Sequence, residues 1–376
     1  MVEFPTLSSY LYAMLLRVPD FYDSFHCIAG KCTDTCCVGW EIDIDDSSAK
    51  RYAKVKGEFG EKLRKNIEDG HFKLLAGDRC PFLRQDGLCD MICNLGEESL
   101  CDICREHPRF VEVYGDIMER GIGLCCEEGV RLLLECNGTA SSPIAFIERE
   151  IDDEPDDIPD DAIEARNAIF EERNNLFRIL ADGSKPLNKR LVEMMDYAIE
   201  TSGFNFEEPD ENQDRHSLDE AHQAWIEILS KGESYGPAWD RAYKLIKSEG
   251  WSQTKLQTSA PGPTSSKTDS NEASLFTDCD GEKIIAYLLF RYYGKSLFDG
   301  NSLTKVEFAI YFWIMLQKFG AMLASSTQNI PTAKIAAIKL LSKQTEYSEE
   351  IMELLEAEFM ENRNFSPAIF KRILME

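Results

Sequence analysis

The chain is short of positive charge. Against 67 Asp and Glu stand 41 Lys and Arg, a formal net charge of −26 over 376 residues. A phosphate backbone is held by neutralising Lys and Arg, so this charge argues against wrapping DNA or RNA. The acidity suits a solvated surface and would attract a cationic substrate. Long apolar runs are missing too. No stretch of about 18 apolar residues occurs, which excludes a membrane-spanning helix. The apolar stretch near Leu11–Val18 has no basic flank and no small-residue cleavage site, and Glu3 stands early. It reads as a short buried helix rather than a signal peptide, so the expected compartment is the reducing cytoplasm. There is no P-loop, no HExxH pair and no G-x-G-x-x-G after a strand. Histidine is scarce, five in all, and His26, His71, His216 and His222 form no ligand spacing with one another.

What the chain does have is cysteine, and in one place. Twelve of its thirteen cysteines precede residue 137, and only Cys279 falls outside. Disulfide frameworks belong to small secreted domains, whereas cytosolic thiols stay reduced and, when clustered, hold metal. The first group is Cys27-x4-Cys32-x3-Cys36-Cys37, and the second is Cys80-x8-Cys89-x3-Cys93-x7-Cys101-x2-Cys104. The pair Cys125-Cys126 closes the segment. Short spacings turn several thiolates toward one point, and Gly30, Gly39 and Gly87 supply the tight backbone such loops need. A zinc site and a [4Fe–4S] cluster each take four ligands, so the groups suit one site or two, of either kind. Cys32/Cys36 with Cys101/Cys104 fits the zinc pattern loosely, and the adjacent Cys36-Cys37 is less typical of zinc. Cys101-x2-Cys104 alone would be a redox dithiol, but no βαβ pattern surrounds it. The radical S-adenosylmethionine spacing is absent, because Gly39 stands where its third cysteine should. His107, beside Pro108, is a candidate ligand or base set against an ordinary partly buried histidine.

The organisation expected is a mainly α chain, with a cysteine-rich, loop-rich N-terminal metal-binding region packed with a C-terminal helical domain. The cysteine-rich region is 1–145, with short helical or strand pieces at Ser47–Asn66 and Gly129–Leu134. An acidic boundary follows at 146–161, where Glu150–Asp161 contains eight acids and two prolines. Helical periodicity then marks 162–251, with helices over Ile163–Leu180, Leu187–Ile199 and a third through Leu229 capped by Ser217-x-x-Glu220. Residues 252–274 hold almost no large apolar group and read as a flexible linker or loop. The C-terminal region, 275–376, carries helices at Glu282–Tyr293, Thr304–Leu323 with a Thr304-x-x-Glu307 cap, Thr332–Ser342 and Ser348–Glu361. Its apolar and aromatic stretches, IIAYLLFRYY and FAIYFWIML, are the main core.

The cysteine motifs resemble those of the flagellin lysine-N-methylase family, within the wider group of CxxCxxCC zinc- or iron-chelating proteins. The matching pieces are FYDSFHCIAGKCTDTCCVGWEIDID, CPFLRQDGLCDMICNLGEESLCDICREHPR and ERGIGLCCEEGVRLLL, with a looser match through KIIAYLLFRYYGKSLFDG and KVEFAIYFWIML. The resemblance is dense over 20–137 and weak over 145–275. By motif it implies the metal ligands Cys27, Cys32, Cys36, Cys37, Cys80, Cys89, Cys104 and Cys126, whereas Cys93, Cys101 and Cys125 fall where cysteine is not required. It implies an iron–sulfur cluster or zinc, and methyl transfer from S-adenosylmethionine to lysines of flagellin or a similar surface protein. The alternative is a non-catalytic iron–sulfur or zinc-binding protein, such as one in electron transfer. Lysine must attack as the neutral amine, although its ordinary pKa is about 10.4. A sulfonium favours an aromatic face and nearby acid. Trp40, Tyr52, Phe82, Phe110 and Tyr114, with Asp43, Asp45 and Glu119, are the residues of those types in the segment. No S-adenosylmethionine motif of the Rossmann or SET kind is present.

Overall fold

Residues Met14–Pro19 form a strand, β1, not the helix expected across Leu11–Val18. Met14, Leu16 and Val18 are buried while Leu15 and Arg17 are only half-buried, a two-residue period that a helix would not produce. The computed structural model describes residues 14–35, 37–153, 155–156, 158–203, 218–249, 275–324 and 329–376. Leu11–Ala13, Cys36, Ser217 and the expected linker at 252–274 lie outside these.

After β1 come helices α1 (Asp46–Tyr52) and α2 (Gly57–Lys65), the short strands β2 (Ile67–Glu68) and β3 (His71–Phe72), and helices α3 (Asp90–Leu95) and α4 (Asp102–Glu106). Then follow β4 (Arg109–Tyr114), β5 (Ile117–Ile122), α5 (Glu127–Glu135) and β6 (Phe146–Ile151). The last lies inside the acidic 146–161 segment. A four-stranded sheet has the order β4-β5-β1-β6. β1 runs parallel to β5, with Leu15 opposite Ile117, and antiparallel to β6, with Pro19 opposite Phe146. β1 thus gains hydrogen-bonding partners on both edges, and pairing of this kind overrides local helix preference.

The remainder is helical: α6 (Asp160–Ala181), α7 (Leu187–Ser202), α8 (Leu218–Ile228), α9 (Pro237–Glu249), α10 (Asp278–Tyr292), α11 (Ser296–Asp299), α12 (Ser302–Ala324), α13 (Ile330–Thr345), α14 (Glu349–Glu361) and α15 (Pro367–Met375). The chain is mainly α, as expected. α12 runs through the middle, and every residue from Val306 to Leu316 is buried. The Thr304 cap does not form, because Thr304 lies inside α12, where its hydroxyl donates to the Asn301 carbonyl at 3.0 Å. Glu307 is instead a buried carboxyl whose oxygens have no hydrogen-bond partner among the described residues. A capping box forms on α10, between Thr277 and Asp280.

The sheet is fastened to the helices by a buried ion pair. Arg173 of α6 donates to both carboxylate oxygens of Glu119 on β5, at 2.8 and 2.5 Å, and its guanidinium lies 4.5 Å from the Phe170 ring centre. Two main apolar cores result, beside a small third cluster of Tyr114, Ile117 and Phe170. The larger fills the helical part, and the smaller gathers Ile42, Tyr52, Leu63, Phe72, Cys80, Phe82, Met91 and Cys101.

Candidate metal centre

Backbone hydrogen bonds bring the cysteines of the second group together with Cys37. Cys80 N donates to Cys37 O at 3.3 Å, and Gly39 N to Asp78 O at 3.0 Å. Gly39 has φ +91°, a left-handed conformation that favours glycine. Residues 80–89 fold back as a tight loop in which Leu83 bridges Cys89, Arg84 N reaches Leu88 O and Asp90 N reaches Phe82 O at 2.7 Å. Asp45 caps α1 and also accepts from Asp102 N at 3.0 Å, while the Tyr52 hydroxyl donates to Ser99 O at 2.9 Å. These bonds set α4, with Cys101 before it and Cys104 within it, against the small core. Cys80 and Cys101 are buried there, and Cys37, Cys89 and Cys104 pack against it.

The first loop is held differently. Glu127, the first residue of α5, accepts from Thr33 N at 2.9 Å and from Thr33 Oγ1 at 2.5 Å. Cys32 Sγ lies 3.5 Å from the same oxygen, and Lys339 Nζ of α13 lies 3.3 Å from it. Lys343, one helical turn on, donates to Asp34 Oδ2 at 2.6 Å and to Thr35 O at 3.2 Å. Cys126 immediately precedes α5. At Gly30 a Cβ would meet Leu88 Cδ2 at 3.3 Å and Asp86 O at 3.4 Å, so this glycine lets the two loops touch.

Both loops open onto one cavity of about 480 Å³. Of the eight ligands implied by the motif, Cys27, Cys32, Cys37, Cys80, Cys89, Cys104 and Cys126 line it, and Cys36 lies outside the described residues. Cys93, Cys101 and Cys125 line it as well. No disulfide joins cysteines among the described residues. Nor, among those residues, are three or more Cys, His, Asp or Glu groups already placed to hold one ion. Cys136 belongs to the helical core and Cys279 is exposed.

The other candidates divide. Trp40, Tyr52, Phe82 and His107 line the cavity, with Trp40 and His107 stacked at 4.7 Å between ring centres. Phe110 packs on Tyr287 and Phe290 in the helical core, and Tyr114 on Phe170. Glu119 is engaged by Arg173, Asp45 caps a helix, and Asp43 sits 2.5 Å from His71 Nδ1. The sequence reading missed Glu127, Lys339 and Lys343. A signal existed for one of them: Lys339 stands in the run IAAIKLL, where a buried face continues through a charge.

Burial shapes the electrostatics. It pushes the Cys80 thiol up to about 12, with Cys37 and Cys89 adding to the rise. It pushes Cys126 up to about 11, and Cys27 and Cys32 act in the same sense. Cys101 is brought down to about 7 by a hydrogen bond from Cys104, whose own thiol is driven upward by the same contact and by burial. His107 falls to about 4 through burial first and then the charges of Lys343 and Arg291. Buried thiols crowded in this way resist ionisation one beside another, and a bound cation reverses that preference by displacing their protons. Soft sulfur donors in this number fit zinc or an iron–sulfur cluster.

Fold and cavity together define a mainly helical protein with a thiol-lined chamber between a small loop-rich core and a large helical one. Comparison with known proteins gives that class its relatives. The chain is 28% identical over 148 residues to proteins named Lysine-N-methylase from Salmonella typhimurium and from Salmonella choleraesuis, a match covering 36% of this chain and 37% of each relative. It is 29% identical over 120 residues to the Flagellar biosynthetic protein FliU of Salmonella muenchen, covering 29% of this chain and 71% of that one. The chain therefore spans little more than a third of the length of the two methylases. These relatives support the relation to flagellin lysine-N-methylases indicated by the cysteine motifs. No family model matches, and no solved structure matches. Among the described residues, no helix is long and apolar enough to cross a membrane.

Proposed function

We propose that the chain is an S-adenosylmethionine-dependent protein lysine N-methyltransferase acting on flagellin or a similar surface protein in the cytoplasm. Its metal, an iron–sulfur cluster or zinc, is held by Cys27, Cys32, Cys36, Cys37, Cys80, Cys89, Cys104 and Cys126. An iron–sulfur cluster supplies an iron able to take the amino and carboxylate groups of S-adenosylmethionine, whereas zinc supplies a cross-link between loops. The observation that carries the reading is a thiol-lined cavity in a chain whose relatives are named Lysine-N-methylase and Flagellar biosynthetic protein FliU.

Methyl transfer joins the lysine nitrogen to the sulfonium methyl, breaks the carbon–sulfur bond and leaves the electron pair on sulfur. The amine must first lose its proton. Burial at the cavity wall disfavours an ammonium, since desolvation lowers a lysine pKa. Lys318, buried elsewhere in this chain, is brought down to about 8 in this way. His107 is neutral at physiological pH, so it does not repel a sulfonium, and its stack with Trp40 gives the cavity an aromatic wall. The test is co-expression with flagellin and mass spectrometry of its lysines. Methylated lysines that disappear with Cys32→Ala or Cys80→Ala are expected. Unmodified flagellin beside metal-loaded protein overturns the reading and favours the non-catalytic alternative.

A further inference from the structure

Among the described residues, the Lys and Arg side chains that line the cavity are Arg105, Arg109 and Lys339. Two of them are already neutralised: Arg105 pairs with Asp102, and Lys339 Nζ lies 3.3 Å from a Glu127 oxygen. Arg109 differs. No carboxylate among the described residues forms an ion pair with it, and its contacts are neutral. The guanidinium lies 5.0 Å from the ring centre of Phe25, which is buried and lines the same cavity. Nη1 donates to the Arg105 carbonyl at 3.4 Å, and the Tyr22 hydroxyl is close enough to feel the charge. Glu106, which acts on that hydroxyl too, is engaged by Arg120.

The backbone beneath this side chain is fixed. Arg109 opens β4 opposite Ile122 of β5, and Gly123 N donates to Pro108 O at 2.7 Å. A guanidinium steadied by a ring and a carbonyl keeps its charge for another partner, in a chain that otherwise carries an excess of acid. Its planar fork of N–H donors matches a carboxylate, which it binds through two parallel hydrogen bonds. The cavity of about 480 Å³ is of the size that takes a small molecule. We propose that Arg109 is the carboxylate-binding residue of the cavity and takes the carboxylate of the methyl donor's amino-acid end. The inference rests on the methyltransferase reading and names a residue for one end of its cofactor. A carboxylate that gives one oxygen to an iron still offers the other to a guanidinium, so the assignment holds with either metal.

The experiment is calorimetric titration of the full chain, purified without oxygen, with S-adenosylhomocysteine and with the analogue that lacks its carboxylate. The wild-type chain is expected to bind the carboxylate-bearing compound about tenfold to a hundredfold more tightly, the range for a hydrogen bond to a charged group. Arg109→Gln should remove that preference and leave binding of the analogue unchanged, whereas Arg109→Lys should keep part of it. Arg105→Gln, which removes an equal charge from the same lining, should keep all of it. Equal losses in Arg105→Gln and Arg109→Gln would reduce the effect to a general field and overturn the assignment. If Arg109→Gln does not fold, the wild-type comparison still decides, since equal affinity for the two compounds refutes a carboxylate site. A chain that methylates flagellin yet binds both compounds alike sinks this inference alone. One that binds neither compound and leaves flagellin unmodified sinks the methyltransferase reading with it.

Discussion

The helical core and the cysteine-rich core differ in what fills them and in what closes them. Around α12 the contacts are between large side chains: Trp225 lies 4.5 Å from Phe370 and 5.3 Å from Tyr311 between ring centres, and all three rings are buried. Such packing supplies dispersion and hydrophobic stabilisation without further help. The small core has two- to nine-residue elements, a handful of large apolar groups, and thiols where a larger domain would place leucine. A core of this size is marginal by burial alone, and small folds commonly add a metal or other cross-link. One half is held by bulk, while the other depends on a few specific bonds.

The sharpest way to break this contrast is chelation. Anaerobic treatment with a strong chelator is expected to abolish amide-exchange protection across residues 37–104 while α10 and α12 keep theirs. Equal protection in both regions, before and after, would show that the small core needs no metal. A second prediction strikes the other side. Trp225→Ala should destabilise the helical core by about 3–5 kcal/mol, the range for removing a large buried aromatic. Denaturant unfolding reads that loss, and the metal content should be unchanged.

The smallest effect is expected at the clamp between the two regions. Burial disfavours ionisation of Asp34, yet Lys343 and then Lys339 outweigh it, and its pKa is lowered. Glu127 is lowered too, with burial opposed by Thr33 and then Lys339. A depressed carboxylate stabilises the fold above its unfolded pKa, and that contribution is lost as pH falls through the folded value. The clamp therefore holds at neutral pH and loosens below the ordinary carboxylate range. Lys339→Met should flatten that acid limb and cost about 0.5–1.5 kcal/mol at neutral pH, because the half-buried Glu127 carboxylate loses a hydrogen-bond partner. Stability curves at pH 7 and pH 3 check it, and an unchanged acid limb would assign the dependence elsewhere.

Much of the helical half was legible in the residues. Ile163–Leu180, Leu187–Ile199 and Ser348–Glu361 each show an apolar face at helical spacing, and α6, α7 and α14 occupy those places. β1 was not legible, because six residues are too few to separate a two-residue from a 3.6-residue period and its strand character comes from β5 and β6. β6 was hidden for a similar reason. Its Glu148, Arg149 and Glu150 read as solvated charge, and Arg17, which pairs with Glu148 at 2.7 Å, lies 131 residues earlier.

The sequence by itself determined the mainly helical composition, the chemistry available to the cavity, and which cysteines are close enough along the chain to act together. Spacing and residue type are local properties, and they survive without knowledge of the fold. Only the tertiary structure decided that both cysteine groups line one chamber, that Glu119 belongs to Arg173, and that Lys339 and Lys343 reach across to the first loop. Those relations depend on which faces pack together, and packing joins residues that no spacing along the chain relates.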